Sequence, residues 1–280
     1  MKWIYITLSI FFIVNSAAQQ KDSIITTSTH VHVFKPEILP ASPDNINQLK
    51  LPDGFSIAPF ATDLGKPRMM VVTTDGTVYV TRRSGEITLL RDDNNDGKAD
   101  IINTALKLKD VHGLALDGNQ LYIVTVNEVF TAKINSDHSL GSLIKIIENL
   151  PDGGQHPNRT LAIGPDGKLY VSIGSDCNAC AETREEHATL LQFDKDGKNQ
   201  KIFSKGLRNT IAFTWEPKTK VLYGLDHGID WLGDDTQHEE LNKLEEGKHY
   251  GWPYIFDNGE YNVTDQPKDS NWKEFSKKNN

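Results

Sequence analysis

The chain has 280 residues, of which 38% are hydrophobic and 24% charged, a composition typical of folded globular proteins rather than disordered ones. Its formal net charge of −8 argues against a nucleic-acid partner, because phosphate binding needs a basic surface. The length allows one large domain or two small ones.

The first 18 residues have the features of a secretory signal peptide. Lys2 precedes the apolar run WIYITLSIFFIV, and the small residues Ser16 and Ala18 predict cleavage before Gln19. That run is too short to span a bilayer, and no later run reaches the roughly 18 apolar residues of a membrane helix. We therefore expect a periplasmic or secreted protein with no membrane span in its mature chain.

A strand pair recurs along the chain after a polar, aperiodic lead-in at residues 19–50. Each pair joins an apolar strand to a second strand through a short turn that carries Asp-Gly or Pro. The four copies are MMVVTTDGTVYVTRRSG, LALDGNQLYIVTVN, LAIGPDGKLYVSIGS and IAFTWEPKTKVLYGLDHG. A tyrosine near the start of each second strand marks the repeat, at Tyr79, Tyr122, Tyr170 and Tyr223, with spacings of 43, 48 and 53 residues.

Repeats of this length with about four short strands each are typical of a β-propeller. A plain β-sandwich would give evenly spaced strands without a longer unit. The sequence thus predicts an all-β propeller of four-stranded blades, with about four blades over residues 51–256. Residues 257–280 are polar and lack the pattern, which predicts a polar tail.

The blade geometry brings particular strand ends together. The start of a blade's first strand and the end of its second lie on the same face, and these ends gather around the central channel. The groups that enter the first strands are Arg68, His112, His156 with Arg159, and Arg208 with Asn209. The groups that end the second strands are Arg82, Arg83, Asn127, Ser175, Asp176, Asp226 and His227. We expect a site where they converge, since rigid scaffolds carry their sites on such loops.

His156 is the candidate general base of this site, because an imidazole titrates near neutral pH. The alternative is a loop histidine bonded to a backbone carbonyl. Arg208 and Asn209 are candidates for holding an anionic ligand, and a surface ion pair is the alternative. Arg159 has the same two interpretations.

Cys177 and Cys180 are the two cysteines of the chain. In an oxidising compartment a C-x-x-C pair predicts a disulfide. Redox catalysis would need a helix start in a thioredoxin-like context, and here the pair follows a strand.

Two acidic segments are candidate cation sites. DHGIDWLGDD, residues 226–235, combines carboxylates with glycines, although an acidic loop without metal fits equally well. DDNNDGKAD, residues 92–100, spaces oxygen ligands like the first half of a calcium loop, at Asp92, Asn94, Asp96 and Asp100. Asn103 stands where the bidentate glutamate would be, so a polar turn is the alternative to structural calcium.

Several motifs occur in a fixed order: VHGLAL, QHPNRTLAIGPDGKLYVSIGS with CNAC, GLRNTIAFTW, DHGIDWLGDDTQHEELN and HYGWPY. Over about residues 51–256 this set resembles the sorbosone dehydrogenase family, relatives of soluble quinoprotein glucose dehydrogenase. The resemblance implies a six-bladed propeller that holds pyrroloquinoline quinone (PQQ) and Ca²⁺ at its mouth. It also implies oxidation of an aldose or related sugar in the periplasm, with electrons passed to an external acceptor.

The resemblance gives roles to individual residues. His156 matches the base that takes a proton from the sugar hydroxyl, and Arg208 and Asn209 match the pair that contacts the quinone. Gly228 and Ile229 match the backbone carbonyls that bind calcium, with Asp230 as a neighbouring acid. By position at the mouth, the further cofactor contacts predicted are Arg159 and His112.

Two departures from the family stand out. An aspartate that orients the base in the glucose enzyme falls near Ser175, so that role either has moved to Asp176 or is absent. The family continues for about two more blades, so this chain either is a truncated form, which we favour and which would bind the cofactor poorly or not at all, or closes with four blades. Two other functions fit the propeller: a calcium-dependent lactonase-type hydrolase, and a non-catalytic propeller that binds glycans or proteins.

Overall fold

The computed structural model describes residues 42–152, 154–230 and 232–261. The predicted signal peptide, most of the lead-in and most of residues 257–280 lie outside these ranges. The described part contains one short helix, α1 (Pro43–Asn47), capped by Ser42. No helix among the described residues has the length and apolar character needed to cross a membrane.

The described strands form five antiparallel sheets in chain order. The first sheet contains β1 (Pro67–Val72), β2 (Val78–Arg82), β3 (Glu86–Arg91) and β4 (Ile101–Lys107). The second contains β5 (Leu114–Asp117), β6 (Gln120–Val124), β7 (Val129–Lys133) and β8 (Ile144–Ile147). The third contains β9 (Leu161–Ile163), β10 (Leu169–Ile173), β11 (Thr189–Phe193) and β12 (Lys201–Lys205). The fourth contains β13 (Thr210–Trp215), β14 (Leu222–Asp226) and β15 (Glu240–Lys243), and a hairpin follows of β16 (Ile255–Phe256) and β17 (Glu260–Tyr261).

The predicted all-β propeller is confirmed, with one difference in the fourth blade. Its sheet has three strands among the described residues instead of four. After β15 the chain turns back to the third sheet, where Lys205 N–H donates to the Lys248 carbonyl (3.0 Å) and Tyr250 N–H to the Lys205 carbonyl (2.9 Å). These bonds join the third blade to the segment that follows the fourth.

The turns between first and second strands follow from local chemistry. In the first blade Asp75 accepts from the Thr77 amide at 3.2 Å, and Gly76 adopts a φ of +89° that other residues rarely reach. The tyrosine of each repeat lies in the second strand, β2, β6, β10 or β14, as the sequence predicts.

The cores lie between successive sheets. Because side chains alternate along a strand, β6 contributes to two cores at once. Leu121 and Ile123 pack with Tyr79 of the first sheet, whereas Val124 packs with Val171 of the third. Each blade therefore stacks face to face on the next, which fixes the strand ends of the mouth relative to one another.

Candidate active site at the propeller mouth

The strand ends predicted to converge do so in the structure. Pro67 at the start of β1 pairs with Arg82 at the end of β2, and Thr210 at the start of β13 pairs with Asp226 at the end of β14. A cleft of about 540 Å³ opens at this end of the first three blades. Its lining residues are Arg68, Arg83, Asp110, Val111, His112, Val126, Gln155, Pro157 and Asn158.

His156 is held by Ser175 rather than by Asp176. The Nδ1 atom of His156 lies 3.0 Å from the Ser175 carbonyl oxygen and 2.9 Å from the Ser175 Oγ atom. The Ser175 hydroxyl donates its one proton to the Cys177 carbonyl at 2.7 Å. Both Ser175 oxygens can therefore only accept from Nδ1–H, so Nε2 of the neutral ring carries a lone pair that no described residue binds.

The surroundings of His156 keep its ring neutral near pH 7. Burial lowers the pKa of His156 below its ordinary value, and the nearby Arg208 cation lowers it further. The bond to Ser175 opposes this shift in part. A neutral imidazole with a fixed tautomer and a free Nε2 can take a proton from a hydroxyl group.

Gly174 lets His156 and Asn209 approach each other. A Cβ atom built on Gly174 would lie 2.6 Å from the Cβ of His156 and 3.1 Å from the Oδ1 of Asn209. Only glycine leaves room for both groups here. The adjacent Ser175 N–H donates to the Arg208 carbonyl at 2.7 Å, which joins the third blade to the fourth at the site.

We expect Gly174→Ala to displace His156 and to lower the free energy of unfolding by about 1–3 kcal/mol, the usual cost of overpacking. Urea denaturation measures the change. Gly141→Ala is the matched control, because its Cβ would meet its nearest neighbour, the Lys133 carbonyl oxygen, at 3.4 Å. Equal stability of the two variants would contradict the close approach described above.

Arg208 is almost fully buried and its guanidinium is oriented by the disulfide loop. The Nε and Nη2 atoms donate to the carbonyl oxygen (2.9 Å) and the Oδ1 (2.6 Å) of Asn178. Nη1 donates to the His227 carbonyl at 3.2 Å, and the cation lies 5.4 Å from the ring centre of Trp252. The charge is thus fixed near His156 before any ligand arrives.

Asp226 fixes the backbone that carries Arg208 and Asn209. Its buried carboxylate accepts from the amides of Arg208 and Asn209 and from the Thr210 hydroxyl, each at 2.9 Å. Burial raises the pKa of Asp226 to about 7, although these three bonds oppose that shift. The side chain acts through the strand start and is absent from the lining of the cleft.

Arg159 does not offer a free group to a cofactor. Arg159 is 0% exposed and donates to four backbone carbonyls, those of Val126, Pro151, Asp152 and His156. Burial lowers its pKa to about 10, so it stays charged at neutral pH. We therefore infer that Arg159 holds the loop of His156 in place through these hydrogen bonds. It is not the cofactor contact that its position predicts.

His112 lines the cleft, but one of its ring nitrogens is committed. Its Nδ1 lies 2.9 Å from the Arg159 carbonyl and must donate, since a carbonyl only accepts. Burial lowers the pKa of His112, so the ring is neutral. One ring nitrogen, Nε2, is left to contact a ligand.

The predicted calcium segment lies beside Arg208. Asp230 Oδ1 lies 3.8 Å from Arg208 Nη2, and its amide donates to Asn178 Oδ1 at 3.0 Å. The Gly228 amide donates to Glu239 at 3.2 Å. Within the ranges that the structure describes, the carbonyl oxygens of Gly228 and Ile229 accept no hydrogen bond, so they are available as ligands for a hard cation.

The loop at residues 92–100 is held together by hydrogen bonds between its own side chains and backbone amides. Asp92 accepts from the amide of Gly97 (2.8 Å), and Asp100 accepts from the amide of Asp93 (2.8 Å). The structural calcium site predicted from the spacing of Asp92, Asn94, Asp96 and Asp100 stays a prediction.

Cys177 and Cys180 form the predicted disulfide. It closes the loop that carries Asn178 and so supports Arg208. Sequence reasoning missed the parts played by Ser175, Gly174, Asn178 and Trp252. Their local motifs, SIGSDCNAC and HYGWPY, signal a strand end and a blade corner but not the partner that each residue meets.

Comparisons with known proteins agree with this architecture. The model of the TrAA12-like family matches residues 49–277. A curated protein of Borreliella burgdorferi is 27% identical over 236 residues, which cover 79% of this chain and 61% of that protein. This chain therefore spans less than two thirds of the length of that relative.

Two solved structures share the fold. The holo form of the PQQ domain of pyranose dehydrogenase from Coprinopsis cinerea has a TM-score of 0.64 at 17% identity, covering 74% of this chain and 58% of that one. The calcium structure of Trichoderma reesei Carbohydrate-Active Enzymes Family AA12 has a TM-score of 0.60 at 21% identity, covering 70% and 58%.

Proposed function

Because this chain belongs to the TrAA12-like family, we propose that it is an oxidoreductase that oxidises an aldose or a related sugar with PQQ. The observation that carries the proposal is the state of His156. Its Nδ1 is bound to Ser175, its Nε2 has no partner among the described residues, and both His156 and Asn209 border Gly174, with Arg208 close enough to lower the pKa of His156. A base in this state can accept the proton of a sugar hydroxyl.

The donor set at the mouth fits the cofactor. PQQ carries carboxylates and quinone oxygens, and the cleft presents Arg68, Arg83 and the Nε2 of His112. Arg208 and Asn209 stand beside His156, and the Gly228 and Ile229 carbonyls suit Ca²⁺. When bound, PQQ supplies an acceptor for the hydride that leaves the sugar carbon.

In the proposed reaction His156 would move the proton and Arg208 would stabilise negative charge. His156 Nε2 takes the hydroxyl proton, and the two Ser175 oxygens then stabilise the imidazolium through Nδ1–H. Arg208 offers a fixed positive charge to the oxygens on which negative charge develops. Its bonds to Asn178 and His227 keep it from reorienting during the reaction.

The function is tested by incubating the full chain with PQQ and Ca²⁺ and following reduction of an artificial electron acceptor as aldoses are added. We expect reduction that requires the sugar, the quinone and the cation together. Lactone hydrolysis without PQQ would support a lactonase instead. Sugar binding without turnover that survives His156→Ala would support a non-catalytic binding propeller.

The rate should depend on pH through His156. The pKa of His156 lies below the ordinary 6.5. The ring is neutral at pH values above its own pKa and protonated at pH values below it. We expect kcat/KM to rise with pH to a plateau, with a midpoint below 6.5. His156→Gln should lack this limb, and an identical limb in that variant would contradict the assignment.

A further inference from the structure

A second cluster of titratable side chains lies behind the mouth, around the disulfide loop. It consists of His187, Asp176 and Glu182, whose candidate ligand atoms all lie within 4.8 Å of one another. Neither the proton transfer nor the cofactor contacts proposed above use these three side chains. The two nearby cysteine sulfurs are joined to each other and cannot supply thiolate ligands.

His187 is the observation that points to a ligand. Its side chain is 1% exposed, and neither ring nitrogen has a hydrogen-bond partner among the described residues. Folded proteins rarely leave a buried polar group in this state, and such groups often mark a bound ion or water. The Nδ1 atom faces the Asp176 and Glu182 carboxylates.

The distances suit a shared metal ion better than direct hydrogen bonds. His187 Nδ1 lies 3.5 Å from Asp176 Oδ2 and 3.7 Å from Glu182 Oε2. Hydrogen bonds between nitrogen and oxygen span about 2.7–3.2 Å. In a tetrahedral zinc site with bonds of about 2.0–2.2 Å, neighbouring ligand atoms lie about 3.3–3.6 Å apart.

The surrounding groups resemble those that orient metal ligands. Trp252 Nε1 donates to Glu182 Oε1 at 2.6 Å, and the Thr183 hydroxyl donates to Asp176 Oδ2. Asp152 Oδ1 lies 3.3 Å from His187 Nε2, on the side of the ring away from the other two carboxylates. With an ion on Nδ1, the proton of the ring would sit on Nε2, and a small shift would let it donate to Asp152, as carboxylates do behind metal-bound histidines.

We propose that His187, Asp176 and Glu182 bind a divalent transition-metal ion of the zinc type. The imidazole nitrogen selects against Ca²⁺ and Mg²⁺, which prefer oxygen ligands, so this site is distinct from the calcium segment at Gly228 and Ile229. The ion joins the segment just before β11, which carries His187, to the disulfide loop, which carries Asn178. It thereby stiffens the support of Arg208.

The test is a Zn²⁺ titration of the full chain without PQQ or sugar, so its failure would leave the proposed function untouched. We expect one bound equivalent to be lost in His187→Gln and in Glu182→Gln. The matched controls should retain the bound Zn²⁺. They are His138→Asn, which is remote from the cluster beside Asp75, and Glu185→Gln, whose side chain is exposed. Asp152→Asn should weaken binding about 10–100-fold.

X-ray absorption of the zinc-loaded wild-type protein gives a second measurement that needs no variant. We expect one imidazole nitrogen in a shell otherwise made of oxygen. A shell with two or more imidazoles would overturn the site. So would equal Zn²⁺ binding by the ligand variants and their controls, or no binding by the wild type, which would make the cluster a buried ion pair.

Discussion

His156→Gln should lower kcat for sugar oxidation by about 10²–10⁴-fold, the usual contribution of a general base. The amide cannot accept a proton at neutral pH, whereas the Nε2 atom of His156 is free to do so. Cofactor binding should change little, because Arg208, Asn209 and the cleft arginines stay in place. Steady-state kinetics with PQQ and Ca²⁺ present measure the loss.

His138→Asn is the matched control for this prediction. His138 lies at the other end of the blades, where its Nδ1 is 3.1 Å from the Thr77 hydroxyl, and asparagine tolerates its φ of +66°. Its kcat should equal that of the wild type. A His156→Gln enzyme that retains more than a tenth of wild-type kcat would remove His156 from the role of base.

Arg159→Met should lower the free energy of unfolding by about 4 kcal/mol or more, since it leaves four carbonyls without their donor and each costs about 1–3 kcal/mol. Methionine fills much of the same space, so the loss reports the four hydrogen bonds rather than a cavity. Arg159→Lys should rescue only part of it, because an ammonium group lacks the planar fork of a guanidinium. Urea denaturation measures these differences.

Arg184→Met is the control for Arg159→Met. Arg184 is half exposed and forms one ion pair, at 3.5 Å from Glu186. Such a surface substitution should change stability by less than about 0.5 kcal/mol. A similarly small change in Arg159→Met would show that Arg159 does not hold the loop of His156 in place.

The fold could be predicted because its signals are local. The tyrosine repeat and the Asp-Gly turns mark each strand pair, and all four tyrosines lie in second strands. The ordered motifs also indicated the family of propeller oxidoreductases, and the TrAA12-like match confirms that relationship. The return of the chain from β15 to Lys205 could not be predicted, because it depends on bonds between segments far apart in sequence.

The site was only partly predictable, for a related reason. The geometry of the strand ends is enough to predict that His156 and Asn209 lie at the same mouth, even when their individual contacts are not known. It cannot tell that Arg159 is completely buried, or that Ser175 orients the base in place of Asp176. Nor does the sequence mark His187, because its three carboxylate neighbours come from segments without a recognisable metal-binding spacing.

The oxygen spacing at residues 92–100 predicts a loop that could bind calcium, but it does not predict the hydrogen bonds within that loop. In the folded chain Asp92 and Asp100 accept from amides of the same turn. Such local bonds between side chains and backbone depend on the conformation of the turn and not on spacing alone.

We propose that the propeller mouth binds PQQ and that hydride passes to the quinone from a sugar, with His156 taking the proton. The most direct measurement is a single turnover without an external electron acceptor. PQQ-loaded protein is mixed anaerobically with an aldose, and the absorbance of the bound quinone is followed. We predict conversion of the oxidised to the reduced spectrum in the wild type, slowed in His156→Gln. Retained quinone that no aldose reduces, or failure to retain quinone with Ca²⁺ present, would contradict this proposal.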